Sequence, residues 1–269
     1  MNVLKHFGIV VIVCSLLLVL PTNTPAAEHT TGIVVLHGKW GSPHQQISSF
    51  ATGLRDAGFL VLTPEMPWSG RRLYDTGIDG AMTEIDRAVA TLRSQGAKKI
   101  VVAGHSLGAM AVLRYCGSRQ VDGLMLLAPG HSPEGKGFRH KTADDVAKAQ
   151  ELVSNGKPDS LIRVSDLNNG GRRKDIMTTA RIYLDYFDPN GPMNSRNNGG
   201  LIRPGIPVLW IVGSHEEEGL RLSGEKVKES FAPDTKMTVR TVDADHLQTP
   251  YYALTPAIDW LTALMTSQP

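Results

Sequence analysis

Cysteine is scarce, with two in 269 residues. That is too few for a disulfide framework or for a structural zinc site built mainly on thiolates. Net charge is scarce as well: 28 Lys and Arg stand against 26 Asp and Glu, a formal +2. The chain therefore raises no large field to gather nucleic acid or an anionic membrane. The apolar run Phe7–Leu20 stops at 14 residues, short of the ~20 a membrane span needs. What is present is a hydrophobic fraction of 41% and a charged fraction of 20%, which excludes a disordered chain and suits a globule with a real core.

That apolar run reads as targeting rather than fold. Lys5 precedes it, Pro21 ends it, and the small residues Thr24-Pro25-Ala26-Ala27 follow, the layout of a secretory signal peptide cut after Ala26 or Ala27. Cys14 lies inside the run behind Val13, which does not suit a lipoprotein-processing box. Residues 1–27 are thus expected to leave an exported chain, periplasmic or secreted, with no stable membrane insertion after cleavage; the alternative is an uncleaved N-terminal anchor. Cleavage leaves Cys116 as the one cysteine, so the exported domain has no intramolecular disulfide to stabilise it.

From residue 28 onward, apolar β-rich runs alternate with helical stretches. Continuous runs such as Ile33-Val34-Val35-Leu36, Ile100-Val101-Val102-Ala103, Leu124–Leu127 and Val208–Val212 suit strands buried on both faces. Helical spacing is expected over Pro43–Ala57, Ala81–Leu92, Leu107–Tyr115, Gly224–Ser230 and Pro256–Leu264. This order predicts a doubly wound α/β architecture: a mostly parallel sheet of about six strands, helices on both faces, and ligands at the carboxyl ends of the strands. The stretch at about 130–204, rich in Asn, Gly and charge, reads as a small lid insertion on one domain, with helices expected at Asp144–Val153 and Asp175–Phe187.

The strongest chemical signal is Gly104-His105-Ser106-Leu107-Gly108, set between the strand Ile100–Ala103 and the next helix. In that context G-x-S-x-G forms a nucleophile elbow, the glycines permitting a sharp turn that lifts the serine above the sheet. A helix beginning at the serine also aims free backbone N–H groups at negative charge growing on a bound carbonyl.

With these features the sequence resembles the α/β-hydrolase fold family over nearly all of residues 28–269. The resemblance implies three further elements. The loop His37-Gly38-Lys39-Trp40-Gly41 would form the oxyanion hole, its donors the amide of Leu107 and that of Lys39 or Trp40. An acid shortly after the strand that ends at Gly213 would be Glu216, with Glu217 the competitor; most members carry aspartate there, so glutamate is a departure. The base would be His246, in the loop after the last strand, giving the chain order Ser106, Glu216, His246. No metal or organic cofactor is implied.

Residues following strands on the same edge are expected to line the substrate pocket: Met66 and Trp68, with His37 and His105 beside them, while Arg71 and Arg72 either meet an anion or stay solvated. A polar, glycine-rich lid favours a small soluble acyl substrate over a long-chain lipid. The leading expectation is a serine hydrolase, a carboxylesterase cleaving a carboxylic ester through an acyl-enzyme. An amidase, peptidase or thioesterase with the same triad, and a non-catalytic binding protein on this scaffold, are the alternatives.

Overall fold

The computed structural model describes residues 31–168 and 171–266; the expected signal peptide lies outside them. Six parallel strands form one sheet: β1 (Thr31–Leu36), β2 (Leu60–Leu62), β3 (Lys99–His105), β4 (Gly123–Leu127), β7 (Val208–Gly213) and β8 (Met237–Val242). Their spatial order is β2-β1-β3-β4-β7-β8. The expected doubly wound sheet is what is found. No helix among the described residues is long and apolar enough to cross a membrane.

The continuous apolar runs serve two cores at once, because alternate strand residues point to opposite faces. On one face Val34, Leu36, Val102, Leu124, Leu126, Val208 and Trp210 meet α2 (Ile78–Ser94) and α3 (Leu107–Cys116). On the other, Ile33, Val35, Val101, Met125, Leu127 and Leu209 meet α1 (Ser48–Asp56) and α9 (Leu254–Thr266). Each such side chain, fully buried, contributes about 1.5–3 kcal/mol. Cys116 is a buried free thiol in the first core.

Between β4 and β7 the chain leaves the sheet. It forms α4 (Lys136–Ser154), an antiparallel hairpin of β5 (Leu161–Leu167) and β6 (Arg173–Thr179), then α5 (Ala180–Phe187) and α6 (Ser195–Gly200). The helix expected at Asp144–Val153 is longer than predicted. The one expected at Asp175–Phe187 is half wrong, since its first five residues are strand. There Ile176 and Thr178 are buried while Asp175 and Met177 are exposed, a period of two that helical spacing does not match. Thr179 ends the strand and caps α5, its hydroxyl accepting from the Ile182 amide. Tyr183, Tyr186 and Phe187 of α5 enter the same core as Met66, Trp68 and Tyr74, with Tyr74 and Tyr186 edge to face at 4.8 Å. The excursion therefore shares the main core.

Two more helices complete the surroundings of the site: α7 (Glu218–Lys228) after β7, and the short α8 (Thr249–Tyr252) after β8.

Candidate active site

Strand β3 runs straight into α3, and the turn between them falls on one residue. Ser106 has φ +55° and ψ −120°, a region that L-residues rarely occupy and that persists only where the surroundings enforce it. The flanking glycines explain how the turn fits. A Cβ on Gly104 would lie 2.4 Å from the Gly108 carbonyl, and one on Gly108 would lie 2.6 Å from the His37 carbonyl oxygen. Side chains at either position would push the elbow off the sheet.

The loop after β8 brings His246 over this serine. His246 Nε2 is 3.0 Å from Ser106 Oγ, and His246 Nδ1 is 2.9–3.0 Å from both Glu216 carboxylate oxygens. A carboxylate can only accept, so Nδ1 carries the proton and Nε2 is left to accept from the serine hydroxyl. Glu216 comes from the loop after β7 and its side chain is almost fully buried. Glu217 instead precedes the first residue of α7, makes no side-chain capping bond, and lines the adjoining cavity. His215 turns outward to Asp243 at 2.8 Å. His105 lies behind the site, where its Nε2 donates to the His246 carbonyl at 2.9 Å and so helps to fix the loop that carries the imidazole.

The loop after β1 completes the arrangement. Gly38 packs against the elbow, where an added Cβ would sit 3.1 Å from Ser106 Cβ. The Trp40 amide donates to the Trp68 carbonyl at 2.9 Å, on a residue with φ +56°. Trp40 is thereby removed as an oxyanion donor. Among the described residues the amides of Lys39 and Leu107 have no intramolecular acceptor, which leaves that pair free for a ligand.

Side chains of the same loop are fixed by Asp166, a fully buried residue of β5 that sequence reasoning missed. Asp166 accepts from Lys39 Nζ at 2.6 Å, from Trp40 Nε1 at 2.6 Å and from the Tyr74 hydroxyl at 2.8 Å. Lys39 Nζ also donates to the Leu167 carbonyl and lies 5.0 Å from the Phe187 ring centre. Burial pushes the Lys39 ammonium below its ordinary pKa, and the Asp166 carboxylate opposes that shift.

The expected pocket residues lie elsewhere. Met66 and Trp68 are fully buried in the core, and Trp68 Nε1 donates to the His37 carbonyl at 2.8 Å. His37 is buried too, its Nδ1 donating to the Gly38 carbonyl and its Nε2 accepting from the Met66 amide. With His105 already placed behind the site, all four serve as supports, not as pocket walls. Arg71 pairs with Glu65, and Arg72 with Asp75 and Glu84. The cavity that opens at Ser106, about 350 Å³, is lined instead by residues of the excursion and of α7, among them His131, Phe138, Leu167, Leu220 and Leu222. Gly130 packs close to the nucleophile: a Cβ there would sit 3.2 Å from Ser106 Oγ. Among the described residues no group of three or more His, Cys, Asp or Glu side chains is placed to hold a metal ion.

A model of the alpha/beta hydrolase family matches residues 33–257. The chain belongs to that family. A search of curated proteins found no match. Among solved structures, a monoacylglycerol lipase from Paleococcus ferrophilus superimposes with a TM-score of 0.60 at 20% identity, over 87% of this chain and 94% of that one. Est1E from Butyrivibrio proteoclasticus gives 0.58 at 15% identity, over 92% of both chains. A structure reported for the metagenome-derived lipolytic enzymes LipS and LipT gives 0.62 at 16%, over 91% and 99%. At these identities the likeness is one of fold.

In this alpha/beta hydrolase the buried histidines carry a pH signature. Burial is the chief cause holding His37, His105 and His131 below the ordinary imidazole range, His105 down to about 3. On unfolding each takes up a proton near pH 6.5, so below that pH the unfolded chain binds more protons than the folded one. Stability from these groups is whole above about pH 6.5 and is lost as the pH falls, at up to about 4 kcal/mol per pH unit where all three titrate. Thermal melts between pH 4 and 8 are expected to show Tm falling steeply below about pH 6; a flat Tm down to pH 4 would contradict the neutral, buried assignment.

Proposed function

We propose that the protein is a serine hydrolase that cleaves a carboxylic ester through an acyl-enzyme. One observation carries the reading: Ser106, His246 and Glu216 form a continuous hydrogen-bonded series at 3.0 and 2.9 Å on a strained elbow, opening on a cavity. The free Lys39 and Leu107 amides support it, as do the lipolytic and esterase names of the structural neighbours.

In this reading His246 Nε2 takes the serine proton as Ser106 Oγ attacks the ester carbonyl carbon. Glu216 holds the imidazole in the tautomer that can do so and stabilises the imidazolium. The carbonyl oxygen becomes an oxyanion facing the Lys39 and Leu107 N–H groups, and loss of one such donor typically costs about 10²–10³ in rate. The bond to the alkoxy group then breaks, and His246 returns the proton to the departing alcohol. His246 then takes a proton from water as the water oxygen attacks the acyl carbon, and returns that proton to Ser106 Oγ as the acyl–Oγ bond breaks and the acid leaves.

A fluorophosphonate probe tests this directly. The wild-type protein is expected to take one label and to hydrolyse short p-nitrophenyl esters, and Ser106→Ala to do neither. Equal labelling and equal turnover by the two proteins would sink the proposal.

A further inference from the structure

The cavity at Ser106 is cationic as well as apolar. Lys39, Lys136, Lys141, Arg196 and Lys226 line it, against Glu217 as its one carboxylate among the described residues. Lys39 is already neutralised by Asp166, and Arg196 lies 4.0 Å from Glu134. Glu134 in turn accepts from the Ser195 hydroxyl at 2.5 Å. Lys136, Lys141 and Lys226 have no carboxylate partner among the described residues, and all three are exposed at the mouth. They come from two different elements, α4 and α7, which the fold brings to the same opening.

Backbone polarity adds to the same sign. Helix α4 starts at the cavity wall with Lys136, Gly137 and Phe138. Its cap residue Gly135 offers no side-chain acceptor, and its first turn carries no acid. The partial positive charge of those uncapped N–H groups is therefore uncompensated by the protein. Apolar walls from Phe138, Leu167, Leu220 and Leu222 accompany the charges. A neutral lipid would gain nothing from the three hydrated ammonium groups, whereas a short acyl chain ending in an anion is complementary to both the walls and the mouth.

Resting on the serine-hydrolase reading, we propose that the substrate is an ester bearing a negative charge, its acidic group held by Lys136, Lys141 and Lys226 at the mouth of the cavity. Lysines act as point charges on flexible stems, so the selection is by charge more than by shape, and it weakens as salt shortens the screening length.

The test compares p-nitrophenyl hemiglutarate with p-nitrophenyl butyrate and with the trimethylammonium analogue of the latter. At low salt kcat/KM is expected to favour the anionic ester about tenfold over the neutral one and to disfavour the cationic one, with the spread shrinking to about twofold at 1 M salt. Lys136→Glu, Lys141→Glu and Lys226→Glu combined should reverse that order. A wild-type ratio near one that neither salt nor charge reversal moves would overturn the inference. Binding of the hemiglutarate to Ser106→Ala, followed by calorimetry at both salt concentrations, decides the same point without turnover. Salt-sensitive binding supports the anionic site and its absence overturns it. Hydrolysis of all three esters by Ser106→Ala at the wild-type rate would overturn the serine mechanism instead.

Discussion

Glu216→Gln is expected to lower kcat on a short ester about 10⁴-fold with little change in KM, the scale on which loss of the orienting carboxylate acts in serine triads. The amide would still fit the buried site, but it offers an N–H toward His246 Nδ1. The imidazole would then be drawn to the opposite tautomer, with the proton on Nε2 and no lone pair for the serine. KM is spared because Glu216 does not line the cavity at Ser106. Glu217→Gln should behave differently, holding kcat within a factor of about three while its effect falls on KM, since that carboxylate lines the cavity and does not touch His246. Steady-state kinetics on the two variants check the pair. The reverse result would move the acid by one residue and leave the reaction unchanged.

How the site could be read in the chain follows from how local each signal is. The elbow is local: a buried strand, a serine between two glycines and a helix are contiguous, and the clash Gly104 avoids is with Gly108 in the same turn, although the one Gly108 avoids is with the distant Leu36 and His37 carbonyls. Glu216 and His246 are separated by 30 residues, yet each follows a strand of the same sheet, so the resemblance to the family, applied at the strand ends, implied both. Lys39 and Trp40 were indistinguishable in sequence because the choice depends on a backbone hydrogen bond from Trp40 to Trp68, 28 residues away. Met66 and Trp68 were misread for a related reason. An apolar residue after a strand can face the cavity or the core, and here the indole N–H is spent on the His37 carbonyl. The hairpin β5–β6 was hidden by its polar outer face, which masked a two-residue period in Ile162, Val164, Ile176 and Thr178. Asp166 had no signal at all, since its partners lie 92 to 127 residues earlier.

Asp166→Ala is therefore the more informative change outside the triad, and it is expected to cost about 3–5 kcal/mol, the range for breaking a buried ion pair and leaving one charge uncompensated. In a chain of this size that corresponds to a Tm lower by roughly 10–15 °C. The expected loss extends to catalysis, because the same carboxylate fixes the side chains of Lys39 and Trp40 while the Lys39 amide is the proposed oxyanion donor. A loop free to shift that amide should lose about 10²–10³ in kcat, with weakened binding of a trifluoromethyl ketone that mimics the tetrahedral intermediate. Asp166→Asn separates the two effects. It retains an acceptor for Trp40 and Tyr74 but leaves the Lys39 ammonium buried without a counter-charge, so stability should fall while the loop keeps part of its register. Combining Asp166→Leu with Lys39→Met removes both charges together and should recover part of the lost stability, since an apolar pair would sit among Phe138 and Phe187, while the Trp40 indole N–H and the Tyr74 hydroxyl still lose their acceptor. If Asp166→Ala melts and turns over as the wild type does, the hairpin is not what holds the oxyanion loop, and the alignment of Lys39 must come from the Gly38 contact with the elbow and the hydrogen bonds of Trp40 and His37 to Trp68.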